Sequence, residues 1–218
     1  MSNNKRGENA SKTHLLVGFA ANILLFIGYS FNVVFSCYEI YGRDREPFAL
    51  IAYFLAFSFI ILSGLFELGV DVFSSRLIGH GRYTSEDVWN KIISFLFIAG
   101  GTFDIVAFVF WMEREFQVEK KFLFASAYSV LAMAGIVMFF QVKENDKSLT
   151  GRIDLFGNIL VLVAAILNVI VRHLVKADNA DLEDMVDRMD FTGAPIWLVS
   201  SGFYVITDLF LLKANLGG

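Results

Sequence analysis

The sequence predicts an all-α membrane protein, a polytopic bundle of six transmembrane helices arranged as three parallel-repeat helical hairpins. Three observations lead to this fold class. The 218 residues are 56% hydrophobic, above the ~45–50% that is typical of soluble domains. They contain six apolar runs, each near the ~20 residues that cross a hydrocarbon core as a helix. Polar residues also recur at matching positions in the first, third and fifth runs.

The N-terminal part of the chain predicts a polar tail followed by a tight hairpin. The tail, residues 1–14, has no apolar run and is not a cleavable signal sequence. The membrane domain covers residues 15–213, and its first two spans are residues 15–38 and 48–70. Pro47 is expected to open the second helix, because a first turn does not need the N–H that proline lacks. The short charged loop between these spans requires antiparallel helices.

The middle of the chain carries the most unusual residue. After a connection over residues 71–91, the segment 84–87 has the serine, threonine and acidic residues of a helix start. The third span, residues 92–112, places Asp104 ~3 Å beyond its centre, at ~1.5 Å of rise per residue. The fourth span, residues 122–142, is the least polar of the six.

The C-terminal part adds one pattern that is not a simple span. The fifth span, residues 153–175, is followed by an acidic segment, residues 178–190, whose apolar residues recur at i, i+3, i+4 and i+7. This pattern predicts a short amphipathic helix lying in the membrane interface. Pro195 and Trp197 are expected to open the sixth span, which reaches Leu212.

An internal alignment divides the membrane domain into three hairpins, about residues 15–71, 91–142 and 153–213. In the odd-numbered spans, the aligned sets are Asn22, Ser94 and Asn158, then Gly28, Gly100 and Ala164, then Asn32, Asp104 and Asn168. In the even-numbered spans, the corresponding residues are Glu67, Met138 and Asp208. Because each repeat holds an even number of helices, all three enter the membrane from one side, around an axis along the membrane normal.

The candidate transport pathway consists of polar side chains inside the spans, and these are Asp104, Glu67, Asp208, Asn32 and Asn168. An intramembrane acid is costly and is a functional-site candidate by default. No lysine or arginine lies in any span core, so we expect Asp104 to be protonated or to face water or a cation. The first interpretation is therefore a small proton or cation channel or carrier.

A second interpretation gives the same residues a structural role. Asn32 and Asn168 would then join helices by hydrogen bonds, each contributing ~0.6 kcal/mol on average. Asp104 would be protonated and bonded to them. The protein would be a non-catalytic accessory or scaffold subunit of a larger membrane complex.

Composition and residue placement limit the other classes. The net charge of −4, without a basic tract, argues against a nucleic-acid partner. Cys37 is the only cysteine, and His14, His80 and His173 lie at span edges or in loops. We therefore expect no haem, no other cofactor and no bound metal. We expect no enzymatic activity. The expected partners are the lipid bilayer and either further copies of the chain or other membrane subunits.

Six spans are expected to place both chain ends at one membrane face, which is called the termini side here. The three hairpin loops would lie at the opposite face, which is called the hairpin-loop side. Lysine and arginine are slightly more numerous on the termini side. The positive-inside rule therefore favours cytoplasmic termini.

Overall fold

The computed structural model describes residues 2–43, 46–77, 85–112, 126–127, 129–138, 148–174 and 180–216. Within these ranges every regular element is a helix. The helices are α1 Ser2–Ile40, α2 Pro47–Leu77, α3 Ser85–Met112, α4 Ser129–Met138, α5 Leu149–Leu174 and α6 Ala180–Leu216. All except α4 are long and apolar enough to cross a membrane. The remainder of the predicted fourth span lies outside the described residues.

Helix starts follow the local sequence signals. Pro47 is the first residue of α2, where its missing N–H costs no intrahelical hydrogen bond. Helix α3 begins at Ser85, inside the predicted start signal. Helix α5 begins after Ser148, whose Oγ accepts a hydrogen bond from the Gly151 N–H at 3.0 Å, the contact of an N-cap residue.

A tight turn connects α1 with α2. Gly42 has a φ of 64°, a left-handed conformation that glycine adopts without steric cost. The backbone N–H groups of Gly42 and Arg43 bond to the carbonyls of Glu39 and Tyr38, both at 2.9 Å. Arg43 also pairs with Glu46, and this hydrogen bond raises the pKa of its guanidinium above the usual value. The turn makes α1 and α2 antiparallel neighbours.

Two helices extend beyond their predicted bounds. Residues 180–190 of the predicted amphipathic segment are helical and continue without a break into the sixth span, as the first part of α6. Pro195 lies inside this helix and not at its start. Pro195 lacks the N–H that would bond to the Phe191 carbonyl four residues earlier, and membrane helices tolerate such an internal proline when nearby groups compensate for the lost bond. Helix α1 likewise begins at Ser2, within the predicted polar tail.

The helices pack in chain order and close on themselves. Helix α1 contacts α2 and α6, α2 contacts α3, and α5 contacts α6. Gly100 of α3 lies against Leu131 of α4, where an added Cβ would be 2.7 Å from the leucine side chain. Gly135 of α4 lies against Val161 of α5, with a corresponding distance of 3.0 Å. The described helices thus form a ring in which α6 returns to α1.

Burial follows one face of each long helix. On α3, Ser94, Phe97 and Asp104 are buried, whereas Phe95 on the opposite face is 62% exposed. Such a spacing of three and four residues is the mark of a helix with a single buried face. Large apolar side chains on the outer faces suit contact with acyl chains. The chain is therefore an integral, multi-pass membrane protein.

Candidate functional site

Asp104 lies on the buried face of α3 and is 0% exposed. The Tyr53 hydroxyl of α2 lies 3.4 Å from the Asp104 backbone carbonyl and 3.5 Å from its Oδ1, at the long limit of hydrogen bonding. The Tyr53 ring stacks on Phe108 with centroids 4.0 Å apart. The carboxyl group thus faces protein, as the cost of exposing an acid to lipid predicts.

The two asparagines aligned with Asp104 occupy different environments. Asn168 is buried on α5, against Gly193 of α6, where an added Cβ would lie 2.7 Å from the Asn168 Oδ1. Asn32 is only half-buried on α1. The Asp104 Oδ1 lies within hydrogen-bonding distance of the Tyr53 hydroxyl. The bond between Asp104 and its aligned asparagines, which the second interpretation expects, stays a prediction.

Three hydrogen bonds, called the seams here, join neighbouring helices of the ring. Each runs from a side chain on an odd-numbered helix to an acceptor on the preceding even-numbered helix of the ring. The seams are Ser94 Oγ to Glu67 Oε2 at 3.1 Å, Asn158 Nδ2 to the Met138 carbonyl oxygen at 3.0 Å, and Asn22 Nδ2 to Asp208 Oδ2 at 2.7 Å. The last of these links α1 to α6 and closes the ring.

The seam partners are the residues that the internal alignment places at equivalent positions. The three donors form one aligned set of the odd-numbered spans, and the acceptors form the set of the even-numbered spans. Two seams also have a glycine three residues before the acceptor. A Cβ added to Gly64 would lie 2.8 Å from the Ile98 side chain, and one added to Gly135 would lie 3.0 Å from that of Val161. Close helix approach therefore accompanies both bonds.

The acceptor at the second seam differs chemically from the other two. Glu67 and Asp208 contribute carboxylate oxygens, whereas Met138 contributes its backbone carbonyl. A neutral acceptor is therefore sufficient at this position of the ring. This argues that Glu67 and Asp208 act at their seams as hydrogen-bond acceptors.

Tyr204 of α6 lies at the depth of the seams, inside the bundle. Its buried hydroxyl donates a short hydrogen bond to Asn158 Oδ1, the amide whose Nδ2 forms the second seam. It also lies within electrostatic range of the carboxyl groups of Asp154 and Glu67. The Tyr204 hydroxyl is thus a buried polar group that contacts the second seam.

Tyr29 of α1 lies between that level and Asp104. Its hydroxyl is within electrostatic range of both Tyr204 and Asp104. The side chain is 4% exposed and its ring stacks on Trp197 with centroids 5.2 Å apart. In the described part of the chain, the hydroxyl has no hydrogen-bond partner. We call Tyr204, Tyr29 and Asp104 the hydroxyl column.

The pathway residues predicted from the sequence thus separate into two groups. Glu67 and Asp208 lie at seams, whereas Asp104 lies ~15 Å deeper, ten residues beyond Ser94 on α3. Tyr29, Tyr53 and Tyr204 were not among the residues predicted from the sequence. Their signal was a tyrosine inside an apolar span, because a buried tyrosine hydroxyl usually requires a polar partner.

An aromatic cluster lies beyond Asp104, toward the hairpin-loop side. It consists of Phe35, Tyr53 and Phe108, which are all buried. The ring centroids of Phe35 lie 4.7 Å from Tyr53 and 6.1 Å from Phe108. Phe108 follows Asp104 by about one helical turn, or ~6 Å. Rings from three helices therefore meet just beyond the carboxyl group.

Comparison of the chain with protein-family models, with curated proteins and with solved structures finds no match. The fold and the site together define a helical multi-pass membrane protein with a buried acid near the centre of one span.

Proposed function

We propose that the protein is a non-enzymatic channel or carrier that moves protons across the membrane, with Asp104 as its proton-binding site. The observation that carries this proposal is the fully buried Asp104 carboxyl group, with the buried Tyr29 and Tyr204 hydroxyls on its termini side. Acids within membrane spans occur in proton relays, where they face the interior of the bundle.

The close packing of the site favours protons over metal cations. A calcium ion takes six to eight oxygen ligands, and magnesium retains several waters. A proton needs only groups that can both accept and donate, and a tyrosine hydroxyl does both. A water molecule bridging Tyr29 to Tyr204 or Asp104 would satisfy the Tyr29 hydroxyl and complete the relay, as buried waters commonly do.

The proposal is tested by proton flux into liposomes that contain the purified protein and an internal pH indicator. Asp104→Asn keeps the size of the side chain but abolishes titration, so flux should be lost while the protein remains folded. Asp208→Asn is the matched control, because an amide oxygen still accepts from Asn22 at the seam. Flux should survive in this variant. Absence of flux in well-folded wild type, or undiminished flux in Asp104→Asn, would overturn the proposal.

We further infer that the ring is built from three hairpin repeats related by an axis along the membrane normal. The support is that equivalent residues form the three seams, including the one that closes α6 on α1. This arrangement places both termini on one side, which we propose is the cytoplasm. Reporter fusions at Ser2 and Gly218 should report the same side, and glycosylation at Asn9 would show the reverse orientation.

A second candidate function is an accessory or scaffold subunit of a membrane complex. The observation that favours it is that the backbone carbonyl of Met138 accepts the hydrogen bond at one seam. Because this neutral group is sufficient there, Glu67 and Asp208 at the other two seams would have a structural role. The exposed apolar side chains of the outer faces would then contact further copies of the chain or other membrane subunits. Co-purification in mild detergent distinguishes the candidates, since a subunit should arrive with stoichiometric partners.

A further inference from the structure

We propose that the aromatic cluster of Phe35, Tyr53 and Phe108 is a closed gate, so that Asp104 exchanges protons with the termini side alone. This inference rests on the proposed function, because it assigns a direction to the same site. It implies a carrier or a gated channel and excludes a permanently open pore.

The first support is the unequal distribution of buried polar groups on the two sides of Asp104. Toward the termini side, the described helices bury Tyr29, Ser63, Ser94, Asn158, Ser200, Ser201, Tyr204 and Thr207. Toward the hairpin-loop side, the buried polar side chains in the described residues, apart from Tyr53 itself, are Ser36 and, at the position aligned with Asp104, Asn168. Groups that can relay a proton are therefore concentrated on one side of the acid.

The second support is the packing of the cluster. Phe108 is 1% exposed and lies between the rings of two other helices. Its centroid is 4.0 Å from that of Tyr53 and 5.3 Å from that of Phe54, which approaches at an interplanar angle of 90°. Phenylalanine rings neither accept nor donate protons, and stacked rings exclude water. Apart from the Tyr53 hydroxyl, which faces Asp104, the three residues of the cluster thus offer no group that can relay a proton.

The third support is that Tyr53 belongs to both the gate and the site. Its ring packs within the cluster, while its hydroxyl contacts Asp104. An ionised carboxylate accepts a stronger hydrogen bond than a neutral acid does. Protonation of Asp104 therefore loosens the contact with Tyr53, and the occupancy of the site is coupled to the position of a gate residue.

The deciding experiment follows the protonation of Asp104 by infrared spectroscopy in sealed vesicles with uniform protein orientation. The carbonyl stretch of the protonated Asp104 carboxyl is identified as the band lost in Asp104→Asn. The pH is then stepped on one face at a time. In wild type the band should follow the pH at the termini side only. A band that follows the hairpin-loop side, or neither side, would overturn the gate.

Removal of a gate ring provides the second measurement. Phe108→Ala should make the band respond to both faces and raise proton flux severalfold. Phe95→Ala is the matched control, because it makes the same change at an outward-facing position of α3. If Phe108→Ala is folded and still responds to the termini side alone, the gate proposal is wrong. If Phe108→Ala does not fold, the wild-type spectra still decide.

The outcomes separate this inference from the proposed function. Loss of flux in Asp104→Asn together with a wild-type band that follows both faces supports transport and removes the gate. If the wild-type band follows the termini side only, but neither wild type nor Phe108→Ala shows proton flux, then access to Asp104 is one-sided and the proposed transport function is wrong.

Discussion

At the seams, the carboxyl groups of Glu67 and Asp208 each accept a hydrogen bond from the next helix, at 3.1 and 2.7 Å, and Met138 provides a neutral carbonyl in the equivalent place. Asp104 lies 3.5 Å from the Tyr53 hydroxyl, which is longer than either of these seam distances. A carboxyl group that a carbonyl can replace serves as an acceptor. The Asp104 carboxyl group is fully buried and lies 3.5 Å from the Tyr53 hydroxyl, and it is the group to which we assign the chemistry of an acid.

This difference predicts that substitutions at the seams change stability, whereas substitutions in the hydroxyl column change proton movement. The following four tests range from the largest expected effect to the smallest.

Tyr29→Phe should abolish most of the proton flux without reducing stability. The hydroxyl has no hydrogen-bond partner among the described residues, so its removal breaks no hydrogen bond between helices. Thr207→Val is the control, because it also removes a buried hydroxyl without a partner but lies outside the column. Both variants should be at least as stable as wild type in thermal unfolding. Equal flux in the two variants would place Tyr29 outside the relay.

Asn158→Leu should be the most destabilising seam substitution. The amide bonds to the Met138 carbonyl through Nδ2 and accepts from the Tyr204 hydroxyl through Oδ1. Leucine removes the partner of both the Met138 carbonyl and the Tyr204 hydroxyl. Each buried polar group that loses its partner costs about 1–3 kcal/mol of stability. Unfolding in detergent mixtures, read by circular dichroism, measures the loss. Stability equal to that of Ser94→Ala, which removes a single donor, would contradict the importance of this double contact.

The α1–α6 seam should show a measurable coupling between Asn22 and Asp208. Asn22→Leu leaves the Asp208 carboxyl group without its donor, and Asp208→Leu leaves the amide without its acceptor. The double variant removes both groups and should recover part of the loss. Interhelical hydrogen bonds in membranes couple by about 0.6 kcal/mol on average and reach about 1.7. Strictly additive losses would indicate that the bond does not stabilise the ring.

Glu67→Gln should have the smallest effect, because its amide oxygen still accepts from the Ser94 hydroxyl. We expect the free energy of unfolding to change by less than about 0.6 kcal/mol, the average contribution of one interhelical hydrogen bond. Flux should also persist. A strong loss of flux in Glu67→Gln would move this acid from the seam into the relay and weaken the distinction between the two regions.

The internal alignment predicted which polar residues are equivalent, but not how they are paired. It aligned Asn22, Ser94 and Asn158, and the structure makes each of them a seam donor. It also favoured contacts between Asp104 and its aligned asparagines under the structural interpretation. The structure places Tyr53 beside the acid, a contact that the alignment did not predict. Periodicity along one helix predicts a face, whereas a partner depends on the rotation and approach of another helix.

Much of this protein followed from the sequence alone, because it depends on local properties of the chain. The long apolar runs predicted membrane helices, Pro47 and Ser85 marked two helix starts, and the cost of exposing a carboxyl group to lipid predicted that Asp104 faces inward. These conclusions need only composition, spacing and the bilayer as a solvent.

Only the tertiary structure decided the contacts between helices that are distant in the chain. Asn22 and Asp208 are 186 residues apart and meet because the ring closes. Tyr29 and Tyr204 join the site for the same reason, since their hydroxyls reach the interior from helices at opposite ends of the sequence. The continuous helix through Pro195 likewise depends on its surroundings. Such contacts are determined by packing in three dimensions, which no local pattern of residues encodes.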